Sequence, residues 1–206
     1  MKTLVVGAAC LLAGCSGVQI GDSGGEENGC DFREEPLSDL STLPAGFDRT
    51  PEEMLEPVTN GISGRVTLAD GRVAPIRLAF EIQSQNVRAI YREETPGVEG
   101  CEAQGVEVQA QIRVDGGDVL AGETEAQVRT LGPQMWIDVA AEHLLSSEQP
   151  KFANEPQSMP KLEVMLQRGN DGKWHGEWAW SASVSCAGRS RCSGVESAPF
   201  GSFEAG

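Results

Sequence analysis

Alternation of apolar and polar residues with a period of two most limits what this chain can fold into. The alternation begins at Ile62 and recurs in segments as far as Val184, and its cleanest stretch has apolar residues at 106, 108, 110, 112 and 114. Successive side chains of a strand point to opposite faces of a sheet, so a period of two indicates half-buried strands rather than helices. The chain from about residue 58 to 186 is therefore predicted to be one β domain.

Turn signals separate these segments at short intervals. They are Asp70-Gly71, residues 115–118, Gly132-Pro133 and Asn170-Asp171-Gly172. Such sequences suit hairpins, and no helical period of useful length interrupts them. The pattern predicts an all-β fold, either an antiparallel β-sandwich or a barrel of about eight strands.

Several local features refine this prediction. The Ser-Gln-Asn sequence at 84–86 indicates a turn, so 87–91 is expected to be a separate strand. Gly122 and several acidic residues interrupt the segment 119–130, which is expected to be an edge strand or a bulged one. Residues 140–147 are expected to form a brief helix.

Both ends of the β domain are predicted to be less regular. Residues 30–57 should be irregular except for one short helix, in which Thr50 is the cap, Pro51 takes the first position and Glu53 completes a capping box. Pro57 is expected to end this helix after one or two turns. Residues 187–206, rich in Gly and Ser, are predicted to be a loop-rich C-terminal tail.

The first 14 residues have the three parts of a secretory signal peptide. Lys2 supplies the positive charge, residues 3–12 form an apolar run, and the small residues Ala13 and Gly14 follow. An apolar run of about ten residues is too short to span a membrane as a helix. Residues 1–14 are therefore predicted to be removed on export.

The sequence Leu12-Ala13-Gly14-Cys15 resembles the lipobox of bacterial lipoproteins, and the acidic body resembles acidic lipoproteins of Gram-negative bacteria. This resemblance implies cleavage between Gly14 and Cys15, and a diacylglyceryl group carrying palmitate-type chains on the Cys15 thiol. It also implies attachment to the outer membrane, because Ser16 is not the Asp that retains such proteins at the inner membrane. Either face of that membrane, periplasmic or surface, is compatible. Residues 15–29 would then be a lipidated, disordered tether of Gly and acidic residues.

The net charge of −15 limits the partners of the chain. It argues against nucleic acid and against a basic patch that binds anionic lipid headgroups. A surface of this sign suits a cationic partner or divalent ions, and it also occurs where acidic residues are merely solvated.

Four cysteines remain after Cys10 is removed and Cys15 is acylated, namely Cys30, Cys101, Cys186 and Cys192. An even number of cysteines in an exported chain predicts two disulfide bonds. Three pairings are possible. The pairing Cys186–Cys192 with Cys30–Cys101 closes a short loop, and the main rival is Cys101–Cys186 with Cys30–Cys192. No cysteine or histidine spacing indicates a zinc site.

Three tryptophans of one predicted strand, Trp174, Trp178 and Trp180, share a face and are the ligand candidates of the sequence. Aromatic rings in a row can stack on sugars, and the same spacing is typical of a core strand. His143 and His175 have no partner in a catalytic or metal motif, and the Asp- and Asn-containing turns lack the spacing of a calcium loop. The sequence thus predicts no catalytic residue, no metal and no cofactor.

Together these features predict an envelope lipoprotein that presents a β domain as a non-enzymatic binding or accessory module for protein or glycan. The loops 94–104 and 146–160 are the expected contact surface, because long loops in a hairpin-rich domain often carry function. The alternative is an envelope hydrolase that acts on glycan through carboxylates of these loops.

Replacing Cys15 by Ala tests the predicted anchor. We expect Cys15→Ala to move the chain from the membrane fraction to the soluble fraction, because position 15 then has no thiol to carry the lipid. Fractionation followed by immunoblotting measures this. Cys10→Ala is the matched control and should leave the distribution unchanged. A Cys15→Ala protein that still sediments with membranes would contradict lipidation.

Overall fold

The computed structural model describes residues 31–37, 50–93, 103–148, 150–185 and 193–205. These residues form an all-β fold with one α-helix, as the alternation predicts. The elements are β1 (Asp31–Leu37), α1 (Pro51–Asn60), β2 (Ile62–Leu68), β3 (Val73–Glu93), β4 (Ala103–Asp115), β5 (Leu120–Leu131), β6 (Gln134–Ala140), a 3₁₀ turn (Ala141–His143), β7 (Leu144–Ser146), β8 (Glu155–Pro156), β9 (Lys161–Arg168), β10 (Trp174–Ser185) and β11 (Ser193–Ala205).

Eight antiparallel strands close into a barrel. Their order is β3, β2, β11, β10, β9, β6, β5 and β4, and β4 pairs with β3 again. Closure decides between the two predicted architectures in favour of the barrel. The remaining strands are additions to it, since β1 pairs with β3, β7 with β5 and β8 with β10.

Strand β3 is one long strand where the sequence indicated two strands and a turn. Its first half pairs with β2 and its second half with β1, while β4 pairs with both halves. The register against β4 shifts between Gln83 and Val87, so residues 84–86 are an irregularity within the strand rather than a turn. The predicted turn is wrong because β4 is long enough to hold both halves in line across the extra residues.

Strand β5 is an interior strand, which corrects the expected edge position. It pairs with β4 on one side and with β6 and β7 on the other. Gly122 has φ 155°, and a Cβ there would lie 2.3 Å from the His143 carbonyl oxygen. The glycine therefore allows β7 to approach. The brief helix expected nearby is only the 3₁₀ turn that precedes β7.

The C-terminal segment contains the strand that closes the barrel. Twelve of the 13 residues of β11 pair with β10, and β11 pairs with β2 on its other side. Its register shifts between Trp178 and Ala179, so the buried Phe200 and Phe203 are three residues apart and the period of two is broken. This bulge and the Gly and Ser content explain why the sequence indicated a loop-rich tail.

Helix α1 begins as predicted and ends later than predicted. Thr50 Oγ1 accepts a hydrogen bond from the Glu53 N–H at 3.2 Å, and Glu53 Oε2 accepts one from the Thr50 N–H at 2.8 Å, so the capping box is formed. The helix continues past Pro57 to Asn60. Met54, Leu55 and Val58 are buried in the core, and this packing offsets the hydrogen bond that proline cannot donate. The segment 30–57, predicted to be irregular except for this helix, also contains the strand β1, which pairs with β3. The folded domain thus begins before residue 58.

Aromatic and aliphatic side chains fill the barrel. Trp178 stacks on Phe200 with ring centroids 6.0 Å apart and lies 5.4 Å from Phe203, while Trp180 meets Phe200 edge-on at 5.9 Å. The alternate residues of the other strands complete this core, among them Leu78 and Ile112. Core packing of this kind uses the apolar half of the period-two pattern on every strand.

Several sequence predictions concern residues outside the described ranges. They are the signal peptide, Cys15 with its tether, and the cysteines Cys30, Cys101, Cys186 and Cys192. The β10–β11 register ends at the pair Ser185 and Ser193, each adjacent in sequence to a cysteine. Lipidation and disulfide pairing stay predictions. No helix among the described residues has the length and hydropathy needed to cross a membrane.

Gly176 tests how tightly β10 packs against β9. A Cβ at this position would lie 1.9 Å from the Met165 carbonyl oxygen. We expect Gly176→Ala to lower the free energy of unfolding by about 1–3 kcal/mol, because the backbones must separate. Chemical denaturation measures the change. Gly194→Ala is the matched control, since a Cβ there meets nothing within 4 Å. Equal stability of the two variants would contradict this account.

A candidate binding cleft on the outer face

The three tryptophans of β10 lie in or against the core. Trp178 and Trp180 are 1% and 4% exposed, so their ring faces are covered by other core side chains. Their indole N–H groups have no hydrogen-bond partner among the described residues. Trp174 is half-buried and packs against the same core. No ligand can stack on Trp178 or Trp180 without opening the barrel.

The polar side chains of β4, β5, β6, β9 and β10 form an outer face on the opposite side of the sheet. Pairing aligns these residues in rows that cross the strands. One row runs through Glu107, Arg129, Trp136 and Met165, and the next runs through Gln109, Gln127, Asp138 and Glu163.

An ion-pair cycle occupies the first row and the strand beyond it. Arg129 Nη2 lies 2.6 Å from Glu107 and 3.0 Å from Glu34, and Arg88 Nη1 lies 3.2 Å from Glu34 and 3.8 Å from Glu107. The Glu107 side chain is 6% exposed, so its charge depends on these two arginines. The cycle joins β1, β3, β4 and β5 and neutralises its own carboxylates.

A cleft of about 250 Å³ opens beside the second row. Its lining comes from β3 to β6, the 3₁₀ turn and the chain that leads into β9. The polar lining residues are Gln83, Gln109, Gln127, Glu125, Asp138, Glu142 and Lys161, and Met159 and Pro160 form an apolar wall. Amides, carboxylates, one amine and a thioether thus converge on one concave surface.

The wall of the cleft belongs to the loop 146–160, one of the two expected contact loops. The Glu196 carboxylate fastens this loop, because it accepts hydrogen bonds from the Ala153 N–H, from the Asn154 N–H at 3.0 Å and from Asn154 Nδ2 at 3.1 Å. These hydrogen bonds lower the pKa of Glu196, and the bond from the Ala153 N–H has the largest effect. The Gln157 N–H also donates to the Ser183 carbonyl at 2.7 Å. Most of the other expected loop, 94–104, lies outside the described residues.

Two carboxylates face each other in the second row. Asp138 on β6 is paired directly with Glu163 on β9. The Ser181 hydroxyl donates to Glu163 Oε1 at 2.5 Å. Burial raises the pKa of Asp138, and the nearby Glu163 raises it further, while Lys161 and Arg129 act in the opposite direction. The cleft therefore holds a carboxylate whose charge is costly in the absence of a partner.

Sequence reasoning singled out neither Trp136 nor Asp138 nor Glu163. Alternation within β6 could have indicated Trp136 and Asp138. Met135, Ile137 and Val139 mark the face toward the core, so residues 136, 138 and 140 lie on the outer face. The pairing of β6 with β9 was not readable from the sequence, so the proximity of Asp138 and Glu163 was not predictable. This carboxylate pair lies on strands, whereas the hydrolase alternative placed its carboxylates on loops.

Neither of the two histidines is among the residues that line the cleft. His143 is exposed in the 3₁₀ turn, and His175 Nε2 lies 3.3 Å from Asp171 Oδ2. Within the described ranges no three His, Cys, Asp or Glu side chains are grouped so that they could hold a metal ion.

Comparison with known proteins adds no relative. No family model matches the chain, and neither a curated protein nor a solved structure does. The function proposed below therefore depends on the sequence and on the cleft.

Asp138→Asn tests the cost of the buried charge. The pKa of Asp138 is higher in the folded than in the unfolded chain, so ionised Asp138 lowers the free energy of unfolding at neutral pH. This destabilisation is absent below the unfolded pKa, where the carboxyl is protonated in both states. We expect Asp138→Asn to raise the melting temperature at pH 7 and to lose this advantage as the pH falls toward about 3. Thermal unfolding followed by circular dichroism across this range measures the difference. A lower melting temperature of the variant at pH 7 would contradict the assignment.

Proposed function

We propose that this chain is an envelope lipoprotein, tethered to the outer membrane through lipidated Cys15, whose β domain is a non-enzymatic binding module for protein or glycan. The observation that carries the proposal is the cleft. The barrel interior is filled with side chains, so a ligand of any size meets the domain on its outer surface. There, the cleft brings amides, charged groups and an apolar wall together.

The construction of the cleft supports a binding role. Most of its lining stands on β3 to β6, so these side chains are held by paired strands. The remaining wall is the loop fastened by Glu196, a segment that can differ between proteins without loss of the barrel. Concave surfaces that mix apolar contacts with a few placed polar groups are typical of ligand sites.

The proposed anchor determines where the cleft works. A flexible tether of about 14 residues has a root-mean-square span of roughly 20 Å. The cleft would stay close to the membrane and meet ligands of the envelope. Display at this distance is then the mechanism of the module.

Recovery of a partner from crosslinked envelopes tests the proposal. Gln127 is exposed on β5 and lines the cleft, whereas Gln167 is exposed on β9 outside it. We expect the wild type and Gln167→Arg to recover the same envelope component, and Gln127→Arg to recover about tenfold less, because its longer side chain fills the cleft. Failure of the wild type to recover any component, or equal recovery by Gln127→Arg, would contradict the proposal.

A hydrolase is the second candidate, and the Asp138–Glu163 pair favours it. Directly opposed strand residues have Cβ atoms about 4.5–5.5 Å apart, and the two carboxyls of retaining glycosidases are separated by about 5–5.5 Å. Asp138, with its raised pKa, would be the acid and Glu163 the nucleophile. The candidate ranks second because Glu163 does not line the cleft. Release of reducing ends from envelope glycan by the wild type and not by Glu163→Gln would support it.

A further inference from the structure

We propose that the cleft binds a positively charged side chain, of Lys or Arg, presented by a basic segment of a partner protein. This inference rests on the proposed binding function and specifies the ligand. It follows from how charge is distributed over the outer face.

The charges that line the cleft are unbalanced. Glu125, Asp138 and Glu142 line it together with one cation, Lys161. Glu163 adds a further carboxylate next to Asp138. A basic side chain that enters the cleft therefore meets an excess of negative charge, and the net charge of −15 attracts basic partners over longer distances.

In the neighbouring row, the protein neutralises its carboxylates with its own arginines. In the ion-pair cycle Glu107 has two arginine partners, Arg88 and Arg129. In contrast, no described residue forms an ion pair with the three acids that line the cleft, Glu125, Asp138 and Glu142, and none does so with Glu163 beside Asp138. Two neighbouring rows of one sheet face thus differ, because the row through Glu107 contains Arg129, whereas the row through Gln109, Gln127, Asp138 and Glu163 contains no cation.

The burial of Asp138 makes this difference significant. A carboxylate that is half-buried loses water contacts, and an incoming ammonium or guanidinium group replaces them. A neutral sugar hydroxyl can also donate a hydrogen bond, but it does not offset the repulsion between Asp138 and Glu163. The charge pattern therefore favours a basic protein segment over a glycan.

The remaining lining fits a peptide that carries such a side chain. The apolar wall at Met159, which is 61% exposed, can cover the methylene stem of a lysine. The amides of Gln83 and Gln127 can donate to and accept from a peptide backbone. The lining also contains one cation, Lys161, whose ammonium group can pair with a carbonyl or carboxylate oxygen of the same segment.

Binding of defined probes to the full-length chain in detergent tests the inference. The first probe is an N-acetylated, C-amidated octapeptide with two lysines among alanines and glycines, and the second is the same peptide with glutamines in place of the lysines. Cellohexaose is the neutral glycan probe. Asp138→Asn is compared with Asp115→Asn, which removes an equal charge from an exposed position on β4 about 20 Å from Gln109 along the strand.

We expect the lysine peptide to bind the wild type and Asp115→Asn equally, and to bind Asp138→Asn about tenfold more weakly. The glutamine peptide should bind all three proteins weakly. Its affinity should be no higher than that of the lysine peptide for Asp138→Asn. Equal weakening by both variants would indicate attraction by net charge alone and would overturn the inference. Circular dichroism confirms that each variant is folded.

The glycan probe separates this inference from the proposed function. Suppose that cellohexaose binds the wild type but not Gln127→Arg, and that the lysine peptide does not bind. The cleft is then a binding site, and the charge inference is wrong. If neither probe binds and crosslinking recovers no partner, both proposals are wrong.

Discussion

Closure of the barrel depends on the pairing of β11, which joins β10 to β2 and so brings the two ends of the domain together. The long strand β3 provides the other seam, because it pairs with β2 and β4 along its first half. Each strand then has one face covered by the core, which is why a period of two persists along most of the chain. The outer face inherits its geometry from this closure, since the rows of side chains exist only where the registers hold.

Charge divides the outer face into two parts with different physical character. The ion-pair cycle around Glu107 and Arg129 is internally satisfied, so it ties β1 to the barrel and offers little to a ligand. The row through Asp138 and Glu163 forms no ion pair among the described residues and borders the cleft. The two sets of carboxylates therefore differ in whether they have ion-pair partners rather than in their number.

The fold class was predictable because alternation is a local property, and strands such as β2, β4 and β9 coincide with their periodic segments. The C-terminal strand was not, because a bulge opposite Trp178 and Ala179 moves Phe200 and Phe203 out of period. The site was predictable only in part. Outward positions such as Asp138 follow from alternation, and the loop 146–160 does supply Met159 to the cleft. The opposition of Asp138 and Glu163 depends on a non-local register, which no local pattern encodes.

Barrel closure also bears on behaviour at high density. The backbone N–H and C=O groups of an open sheet edge can pair with another copy of the chain, and this is a route to aggregation. Molecules held on a membrane by a lipid, as proposed for Cys15, meet one another repeatedly in two dimensions. The eight barrel strands have neighbours on both sides, and the added strand β1 carries Glu34 and Pro36, residue types that discourage strand addition. Barrel closure thus removes eight strands from this route to aggregation, which matters for a domain displayed at high density.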